Sequence, residues 1–432
     1  MPFEIPRAAP RRIAVIGAGI SGLAAAQALS GSSRVTLIEA ESRLGGHART
    51  VMAGKRGDQP VDTGFIVFNR ANYPHLTGLF EELEVPLAES NMSFGVSMGG
   101  GRFEYALHDL DSIFATRRNL ADPRFHRMLR DILRFNRLAP AAARDPGMTI
   151  GGLLDALRLG PWFRDRYLLP FSGAIWSTPT HDILDFPAAA MLRFFENHNL
   201  LGYTGQHQWY TVRGGSAEYV CRLEAQLRRR GVEIRTGCPL AGIRRRPGAV
   251  ELRAEGGDWE DFDEVVLATH SDDSLALLSD ASAAERAALG AIRYQPNEAV
   301  LHADAALMPR RRKVWSSWVY TEDAGVRAPR IGLTYWMNSL QPIPLDDPLF
   351  VSLNPTRPIR DELIHDTVTF RHPLYDSAAL EGQAAVRALN GSNRVWFCGA
   401  WMRNGFHEDG FASALDVAEA ISRRAHALEP AA

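Results

Sequence analysis

Three glycines near the start of the chain have the spacing of a phosphate-binding turn. The β-branched run Arg12–Ile16 predicts a short strand, and the alanine-rich stretch Leu23–Leu29 predicts a helix. Between them, Gly17 permits a tight turn, Gly19 lets backbone amides approach a pyrophosphate, and Gly22 lets the helix lie close to the sheet. This context favours dinucleotide binding over the alternative, a turn with a purely structural role.

An acidic residue and a second glycine turn follow the first motif. The run Arg34–Ile38 predicts a second strand, which ends at Glu39, 22 positions after Gly17. A carboxylate at that point can accept hydrogen bonds from the hydroxyls of a ribose. Beyond it, Arg43 and the pair Gly45–Gly46 can bring more backbone amides toward an extended cofactor, a feature that a nicotinamide dinucleotide does not need. FAD is therefore the favoured cofactor.

The run from Ile13 to His47 resembles the flavin amine oxidase superfamily, which also includes protoporphyrinogen oxidases and phytoene desaturases. The resemblance implies an α/β fold, with a Rossmann-like FAD-binding domain of the glutathione reductase and amine oxidase type and a discontinuous α+β substrate domain. We expect the FAD-binding domain to comprise residues 1–80, 205–284 and 391–432. The substrate domain, with helical and sheet parts, is expected to comprise residues 81–204 and 285–390.

Three later runs resemble the strands with which the superfamily's chain returns to the FAD-binding domain. Gly231–Ile243 resembles the strand and bend along the adenine, with Leu240 at the apolar position. Asp263–His270 resembles the strand that ends in A-T-G, although His270 stands where glycine is usual. Arg394–Gly399 predicts a buried strand, and the loop after it leads to a helix whose N-terminus can face the flavin pyrimidine. The alternative for all three runs is ordinary core sheet.

Residue by residue, the resemblance implies non-covalent FAD contacts from a defined set of positions. These are Gly17, Gly19, Ser21, Gly22, Glu39, Arg43, Gly45, Gly46, His47, Gly64, Phe65, Leu240, Ala268, Thr269, Gly399, Asp409, Gly410 and Phe411. Cys398 lies inside a buried strand pattern, so we expect a small core residue and not an attachment point for flavin. With Cys221 and Cys238 it makes an odd count without C-x-x-C spacing, which predicts neither a disulfide framework nor a metal site.

Four longer runs resemble a narrower bacterial subgroup of FAD-dependent oxidoreductases, associated with cyclopropane and methyl-branched fatty acid synthesis. The runs are VDTGFIVFN at Val61, PFSGAIWSTP at Pro170, QWYTVRGGSAEYV at Gln208 and CGAWMRNGFHEDG at Cys398. The resemblance implies desaturation of a methylated acyl chain on a phospholipid, a step toward furan fatty acids, and a lipid methyltransferase as a partner. Aromatic residues between Trp162 and Trp176 suit either the wall of an apolar tunnel or ordinary core.

The titratable side chains nearest the expected flavin loop are consecutive: His407, Glu408 and Asp409. A flavin accepts a hydride at N5, while desaturation also removes a proton from the neighbouring carbon and so needs a base. His407 or Glu408 would serve if desolvation brings its pKa toward neutrality, and Asp409 is expected to be structural. The alternative is that all three bond the loop backbone. Trp209 is expected either to form a wall of the active-site cavity or to pack at a hinge.

Two other functions remain open at the level of the sequence. An amine or polyamine oxidase needs an aromatic pair around the amine and often a lysine near flavin N5, whereas this chain places His407 where an aromatic is expected. Lys313, in the solvent-facing pattern R-R-R-K, is the only lysine of the second half. The third function is that of a redox-inert flavoprotein that binds beside a lipid methyltransferase.

The stretch 122–138 has the periodicity of an amphipathic helix. Its apolar residues recur every three or four positions, and these are Phe125, Met128, Leu129, Ile132, Leu133 and Phe135. Its opposite face is basic and carries Arg124, Arg127, Arg130, Arg134 and Arg137. The helix could rest on an anionic membrane through its arginines, or pack on the core with a solvated charged face.

Composition sets the remaining limits. With 432 residues, of which 46% are apolar, the chain can bury more than one core. Its 48 basic and 50 acidic residues leave a net charge of −2, so no global field recruits nucleic acid. No run reaches the about 18 apolar residues of a membrane span, and we expect a cytoplasmic protein, peripheral on the inner face of the membrane. Prolines between positions 342 and 358 predict turns around an edge strand.

Overall fold

The computed structural model describes residues 10–143, 145, 147–202, 205–323 and 330–428. Its strands, in chain order, are β1 (Arg12–Ile16), β2 (Arg34–Ile38), β3 (Thr50–Ala53), β4 (Gln59–Asp62), β5 (Val67–Asn69), β6 (Leu87–Ser90), β7 (Phe94–Met98), β8 (Phe103–Ala106), β9 (Trp209–Val212), β10 (Glu233–Arg235), β11 (Leu240–Arg246), β12 (Ala249–Ala254), β13 (Trp259–Phe262), β14 (Glu264–Leu267), β15 (Tyr294–His302), β16 (Trp318–Glu322), β17 (Leu333–Trp336), β18 (Phe350–Leu353), β19 (Ile364–Pro373) and β20 (Val395–Phe397).

The α-helices, in the same order, are α1 (Ile20–Leu29), α2 (Pro74–Glu82), α3 (Leu110–Ile113), α4 (Pro123–Ala142), α5 (Ile150–Ala156), α6 (Pro161–Phe163), α7 (Leu169–Trp176), α8 (Ala188–Asn197), α9 (Ala217–Arg229), α10 (Ser271–Leu277), α11 (Ala283–Gly290), α12 (Met337–Leu340), α13 (Ser377–Leu389) and α14 (His407–Leu428). A single π-turn, Arg164–Leu168, joins α6 to α7, and a 3-10 turn, Arg117–Leu120, precedes α4.

One sheet is entirely parallel, with the strand order β10–β2–β1–β14–β20. Its central strand β1 is buried from Ile13 to Ile16, because helices or other strands cover both of its faces. The strands predicted over Arg12–Ile16 and Arg34–Ile38 have these same bounds in the structure. The α/β class and the Rossmann-like sheet expected from the sequence are thereby confirmed.

The parallel sheet brings together strands that are far apart in the sequence, and their carboxyl ends lie on the same side of the sheet. The carboxyl ends of β1, β2, β14 and β20 lead directly to Gly17, Glu39, Ala268 and Cys398. Because parallel strands end on the same side of a sheet, these four positions lie along a single rim, where ligands of such folds bind. The division of the chain into two domains at the expected boundaries stays a prediction.

A second, larger sheet has the order β19–β15–β18–β17–β16–β7–β8. Its pairings are antiparallel except that of β16 with β7. The largest apolar core lies between this sheet and the helices α4 to α8. Three smaller groups, the hairpin β3–β4 and the sheets β5–β9–β6 and β11–β12–β13, belong to neither of the two large sheets.

The prediction of an edge strand within positions 342–358 is wrong. Strand β18 pairs on one side with β15 and on the other with β17, so it lies inside the sheet. All the prolines of this region lie outside Phe350–Leu353, so every residue of the strand keeps a backbone N–H for pairing. The proline cluster therefore marks the turns and not the position of the strand in the sheet.

Helix α4 realises the predicted amphipathic helix and extends it to Ala142. Asp122 caps its first turn by accepting a hydrogen bond from the backbone N–H of Arg124, and Pro123 occupies the first position. Most of the apolar face packs into the core, where Phe125 and Met128 are fully buried, but the assignment of Leu133 to that face is wrong, because its side chain is 55% exposed. Within the described part of the chain, no helix combines the length and the apolar character needed to cross a bilayer.

Candidate functional site

The first glycine turn is closed by direct backbone contact. The N–H of Gly17 donates to the carbonyl of Ile38 at 2.8 Å, and a Cβ on Gly22 would lie 1.8 Å from the carbonyl oxygen of Gly17. Gly19 is the N-cap of α1 and provides no side-chain cap. A Cβ on Gly19 would meet no atom within 4 Å. The N-terminus of α1 therefore faces open space, which is where an anionic group is favoured.

The Glu39 carboxylate is fixed beside this turn. One oxygen accepts from the N–H of Ala18 at 2.6 Å and the other from the N–H of Glu41 at 2.9 Å. The carbonyl of Glu39 accepts from the N–H of Cys238 at 2.9 Å, which brings the loop that leads to Leu240 alongside. Glu39 and the loop that leads to Leu240, both expected at the adenosine end of the cofactor, thus lie next to each other.

The second glycine turn packs on the first. The N–H of Gly45 donates to the carbonyl of Ala18 at 2.8 Å, and a Cβ on Gly46 would lie 3.1 Å from Cα of Gly19. The Arg43 guanidinium donates to the carbonyl of Gly46 at 2.9 Å. Its observed role is to hold this turn, and its expected contact with the cofactor stays a prediction.

The returning strands complete the rim on the other side. A Cβ on Gly17 would lie 3.0 Å from the carbonyl oxygen of Ala268 and 3.1 Å from Cγ2 of Thr269. A Cβ on Gly410 would lie 2.8 Å from Oγ of Ser21, so the first turn of α14 packs against the first turn of α1. The N–H of Gly399 donates to Oγ of Ser413 within α14 at 2.9 Å. Two helix N-termini consequently converge at the same place.

These residues fit FAD. An uncapped helix N-terminus with open space before it suits a pyrophosphate, and a fixed carboxylate one strand away suits a ribose. Nδ1 of His270, the residue after Thr269, is buried without a hydrogen-bond partner in the described chain, as expected beside a ligand site. Gly17, Glu39, Gly46 and Ala268 would hold the adenosine and phosphate part of the cofactor.

His407, the first residue of α14, lies between two aromatic side chains. Its Nε2 is 2.6 Å from the hydroxyl of Tyr219, and its ring stacks on Phe65 with centroids 3.9 Å apart and planes at 11°. A Cβ on Gly64 would lie 2.0 Å from the carbonyl oxygen of His47, so the chain before Phe65 packs directly against His47. Burial lowers the pKa of His407 to about 3, and burial raises that of Tyr219. The imidazole is therefore uncharged at neutral pH.

The two carboxylates after His407 are both engaged by the backbone. Glu408 accepts from the N–H groups of His75 at 2.9 Å and Leu76 at 3.0 Å, and so caps α2. Asp409 accepts from the N–H of Phe406 at 3.0 Å, and burial raises its pKa to about 6. The role of Glu408 as a base and that of Asp409 at the cofactor stay predictions.

A cluster of imidazoles that the sequence did not indicate surrounds His47. The ring of His47 lies 5.7 Å from that of His270 and 5.9 Å from that of His372, and stacks on Phe370 at 4.9 Å. Burial is the main cause of lowered pKa values, to about 4 for His47 and about 3 for His270 and His372. Asn297 donates from Nδ2 to Nδ1 of His372 at 2.9 Å, which fits a neutral ring.

His372 and Phe370 lie on β19, a strand of the large sheet, and Tyr219 lies on α9. Their spacing in the chain carries no signal of the site, because only the packing of distant elements brings them there. Trp209 lies on β9, with its ring 6.5 Å from that of Tyr73 in an edge contact. Its role as a cavity wall stays a prediction. Phe411 is buried and stacks on His75 at 6.0 Å.

One group of side chains has the proximity of metal ligands, namely His270, Asp272 and Asp273. Arg371 already forms ion pairs with both carboxylates, with Asp272 at 2.6 Å. The sequence predicted no metal site, and this group gives no independent reason to infer one.

Comparison with known proteins gives a family match over most of the chain. Residues 20–303 match the family model of flavin containing amine oxidoreductases. An L-amino-acid oxidase from Gloydius blomhoffii is 47% identical over 49 residues. That stretch is 11% of this chain and 10% of the relative, so the chain matches only a small part of that protein.

Solved structures match over almost the whole length. Cyclohexylamine oxidase from Brevibacterium oxydans has a TM-score of 0.69 and 15% identity, covering 97% of this chain and 100% of that one. A fatty acid isomerase from P. acnes that produces CLA has a TM-score of 0.67 and 16% identity, covering 96% and 98%. Putrescine oxidase, bound to putrescine, has a TM-score of 0.69 and 15% identity, covering 96% and 99%. At these identities the likeness concerns the fold alone.

Proposed function

The chain belongs to the family of flavin containing amine oxidoreductases, and on that premise we propose that its substrate is a lipid acyl chain, which it desaturates. It is an FAD-dependent oxidoreductase by family. The finer proposal is that the acyl group is methyl-branched and carried on a phospholipid. Bound FAD supplies an acceptor for the hydride that leaves one carbon of the chain. The protein's own residues must then exclude water and accept the proton that leaves the neighbouring carbon.

The single observation that carries the proposal is the pairing of His407 with Tyr219 in an aromatic setting. If Nε2–H of His407 donates to the Tyr219 oxygen, the lone pair of Nδ1 is left free to accept a proton. The stack on Phe65 holds the ring in place and keeps one of its faces dry. Burial keeps the imidazole uncharged at neutral pH, so its lone pair is present, but the pKa of about 3 lies below the near-neutral value expected of the base from the sequence.

A row of aromatic rings continues from His407. Phe406, next to His407, stacks on Phe194 with centroids 4.8 Å apart, and Phe194 in turn lies 4.9 Å from Trp176. Phe194 on α8 and Trp176 on α7 are 5% and 8% exposed and belong to the largest core. A substrate that reaches these rings would meet an apolar environment, which favours buried methylene groups over charge.

The acids around the site also favour a neutral substrate. Glu408 caps α2, Asp409 accepts from the loop backbone, and Asp62 accepts from Thr50, Ser216 and Gln341. Each of these carboxylates is held by protein donors in a capping or core contact, so none stands without a protein partner as a dedicated counter-ion for a cationic amine. The fold of the fatty acid isomerase, which this chain shares, is compatible with acyl-chain chemistry.

An amine or polyamine oxidase is the second candidate. It is favoured by the likeness of the fold to cyclohexylamine oxidase and putrescine oxidase, and by the short match to an L-amino-acid oxidase. Its chemistry would use the same FAD site. The two candidates differ in the substrate that reduces the flavin.

The test is anaerobic reduction of the purified holoprotein. A phospholipid with methyl-branched acyl chains, the same lipid with straight chains, and putrescine are added separately, and loss of the absorbance of oxidised flavin is followed. We expect reduction by the branched lipid and a product that lacks two hydrogens by mass spectrometry. Reduction by putrescine alone would favour the amine oxidase, and reduction by none of the three would favour the redox-inert partner of a lipid methyltransferase.

A further inference from the structure

Helix α4 and the segment before it present aliphatic side chains to solvent. Four leucines of residues 107–133 are exposed, and these are Leu107 at 39%, Leu110 at 76%, Leu120 at 54% and Leu133 at 55%. Elsewhere in the described chain, only Met52, Leu345 and Ile364 are large apolar residues with comparable exposure. Exposed aliphatic side chains are therefore concentrated in a short part of the sequence. We call the solvent-exposed surface of residues 107–137 the docking face.

The docking face is also basic. Residues 107–137 contain seven arginines and four aspartates, in a chain with a net charge of −2. Asp131 points inward, is 4% exposed and accepts from the N–H of Gly160 at 2.9 Å. No carboxylate of the described residues pairs with Arg130, Arg134 or Arg137, which are exposed on α4. The positive charge that reaches solvent there is thus not neutralised within the protein.

The leucines and the arginines share one side of the molecule. Nε2 of His126, on the solvent side of α4, lies 2.8 Å from the carbonyl oxygen of Leu120. Leu133 follows His126 by seven residues, which places it on the same face of the helix about 10 Å further along. The Phe114 ring, one turn after Leu110, packs 5.8 Å from the ring of His126. Leu110, Leu120 and Leu133 therefore lie near the same stretch of surface as the arginines of α4.

We propose that the docking face binds the surface of an anionic phospholipid bilayer. Guanidinium groups are attracted to anionic headgroups, and exposed leucines gain by insertion below them. A nucleic acid would use the arginines but would leave the leucines in water, so the combination favours lipid. The apolar face of α4 is buried in the core, so the helix binds through its outer side and needs no change of fold.

A shallow, open depression at the start of α4 lies within the docking face. It has a volume of about 360 Å³ and is lined by Arg118, Ala121, Asp122, Pro123 and Arg124. Arg124 pairs with the only acid of the lining, Asp122, at 2.8 Å. Arg118 donates to the backbone carbonyl of Arg102 at 2.7 Å, and its charge adds to the attraction of this surface for a lipid phosphate.

The experiment measures binding of the holoprotein to sedimented vesicles of phosphatidylglycerol and phosphatidylcholine, and to vesicles of phosphatidylcholine alone. One variant carries Arg130→Gln, Arg134→Gln and Arg137→Gln, and a second carries Leu120→Ser and Leu133→Ser. The matched control carries Arg56→Gln, Arg229→Gln and Arg286→Gln, which remove the same charge from exposed positions elsewhere. FAD content and thermal unfolding establish that each variant is folded. Because binding needs no turnover, the result is independent of the reaction proposed above.

We expect the parent protein to bind the anionic vesicles and the arginine variant to bind them about 100-fold more weakly at low salt. The leucine variant is expected to bind the anionic vesicles about tenfold more weakly than the parent. The control variant is expected to bind them as tightly as the parent. The proposal is overturned if the parent protein does not bind anionic vesicles. It is also overturned if the control variant loses as much affinity for them as the arginine variant does. It is also overturned if the leucine variant binds like the parent, which would indicate nonspecific adsorption of a basic patch.

Discussion

The hydroxyl of Tyr219 lies 2.6 Å from Nε2 of His407, although the two residues are 188 positions apart in the chain. The contact joins α9 to the first residue of α14, at the point where the N-termini of α1 and α14 converge. The phenol can accept from Nε2–H or donate to Nε2, and the direction of this hydrogen bond sets which ring nitrogen carries the proton. Only the first arrangement leaves the lone pair of Nδ1 free, so His407 acts as a base toward a substrate only with Tyr219 as the acceptor.

Replacing Tyr219 by phenylalanine tests this role. The variant keeps the ring and removes the hydroxyl, so Nε2 of His407 loses the partner that can hold its tautomer. For Tyr219→Phe we expect flavin reduction by the lipid substrate to slow about 10- to 100-fold. For His407→Ala, which removes the base itself, we expect it to slow about 100- to 10,000-fold. Both effects are measured as the rate constant of anaerobic flavin reduction at several pH values.

The matched control is Tyr105→Phe. Tyr105 is also fully buried, and its hydroxyl donates to the carbonyl of Arg166 at 2.6 Å, away from His407. It is expected to lose stability without a change in the pH profile of flavin reduction. An unchanged rate and pH profile in Tyr219→Phe, with FAD content equal to that of the parent, would exclude Tyr219 as a positioning residue.

Two glycines of the same turn are expected to respond differently to alanine. Gly22→Ala places a methyl group 1.8 Å from a backbone carbonyl, so α1 must move away from the sheet. We expect a loss of about 1–3 kcal/mol in the free energy of unfolding. Gly19 has a φ of −70° and open space at its Cβ, so Gly19→Ala is expected to change the unfolding of the FAD-free protein by less than about 0.5 kcal/mol.

The methyl group of Gly19→Ala projects into the space before the N-terminus of α1, where a pyrophosphate would bind. FAD affinity is expected to fall at least about tenfold, which titration with flavin fluorescence measures. If Gly19→Ala binds FAD like the parent, the pyrophosphate does not approach this turn and the assignment of the cofactor site is wrong.

Glu408→Gln separates the structural role of this residue from a catalytic one. Its two oxygens accept from the first amides of α2, and glutamine can supply only one acceptor atom. We expect the free energy of unfolding to fall by about 1 kcal/mol, with little change in the pH profile of flavin reduction. Loss of the acidic limb of that profile, where protonation of a base slows the reaction, would instead identify Glu408 as the base.

The buried histidines predict loss of stability in acid. The pKa values of His47, His270, His372 and His407 are lowered by burial, to between about 3 and about 4. The unfolded chain therefore binds protons as pH falls below about 6.5 while the native protein does not. Stability from these groups is complete above that pH and is lost at about 1.4 kcal/mol per pH unit for each histidine.

His372→Gln should make the dependence of the unfolding free energy on pH shallower by about 1.4 kcal/mol per unit between about pH 4 and 6. The control is His181→Gln, because the His181 side chain is 61% exposed and lies outside the cluster. Denaturant unfolding at several pH values measures both slopes. Equal slopes for His372→Gln and the parent would mean that His372 is charged in the native protein.

The local part of the fold and of the cofactor site could be predicted from the sequence. The bounds of β1 and β2 agree with the prediction, because a strand, a glycine turn and a helix are determined by neighbouring residues. Gly17, Glu39 and Gly46 lie together for the same reason, since the turn chemistry of one unit places all of them.

The rest depended on contacts that no local pattern contains. Tyr219 and His372 reach the site from α9 and β19. Tyr219 lies in the run that starts at Gln208, but the resemblance assigned it no role, and His372 lies in none of the quoted runs. The interior position of β18 is set by pairing with β15 and β17, whereas its flanking prolines suggested an edge. Glu408 was predicted as a candidate base because it follows His407 in the sequence. In the structure its position on α14 directs the carboxylate toward α2, where it accepts from the N–H of His75.

Asp62 provides the last prediction, because it is a carboxylate with no exposure to solvent. It accepts from Thr50 Oγ1 at 2.6 Å, Ser216 Oγ at 2.7 Å and Gln341 Nε2 at 2.9 Å, so it joins β4 to α9 and to the end of α12. Burial outweighs these bonds and raises its pKa to about 6. An asparagine would direct an NH₂ group at one of the donors, and we expect Asp62→Asn to lose about 1–3 kcal/mol of unfolding free energy at pH 7.

The difference between parent and Asp62→Asn should itself depend on pH. Because the native pKa of Asp62 is raised above its unfolded value, the stability that it contributes is fully present below about pH 4 and is lost as pH rises through about 6. The variant has no such titration, while the histidines contribute equally to both proteins and cancel. The destabilisation measured by denaturant unfolding should therefore be larger at pH 5 than at pH 7.5, by up to about 1.4 kcal/mol per pH unit within that window. A difference that stays constant between these two pH values would mean that Asp62 titrates in the native protein as it does in the unfolded chain, and that its hydrogen bonds offset the cost of its burial.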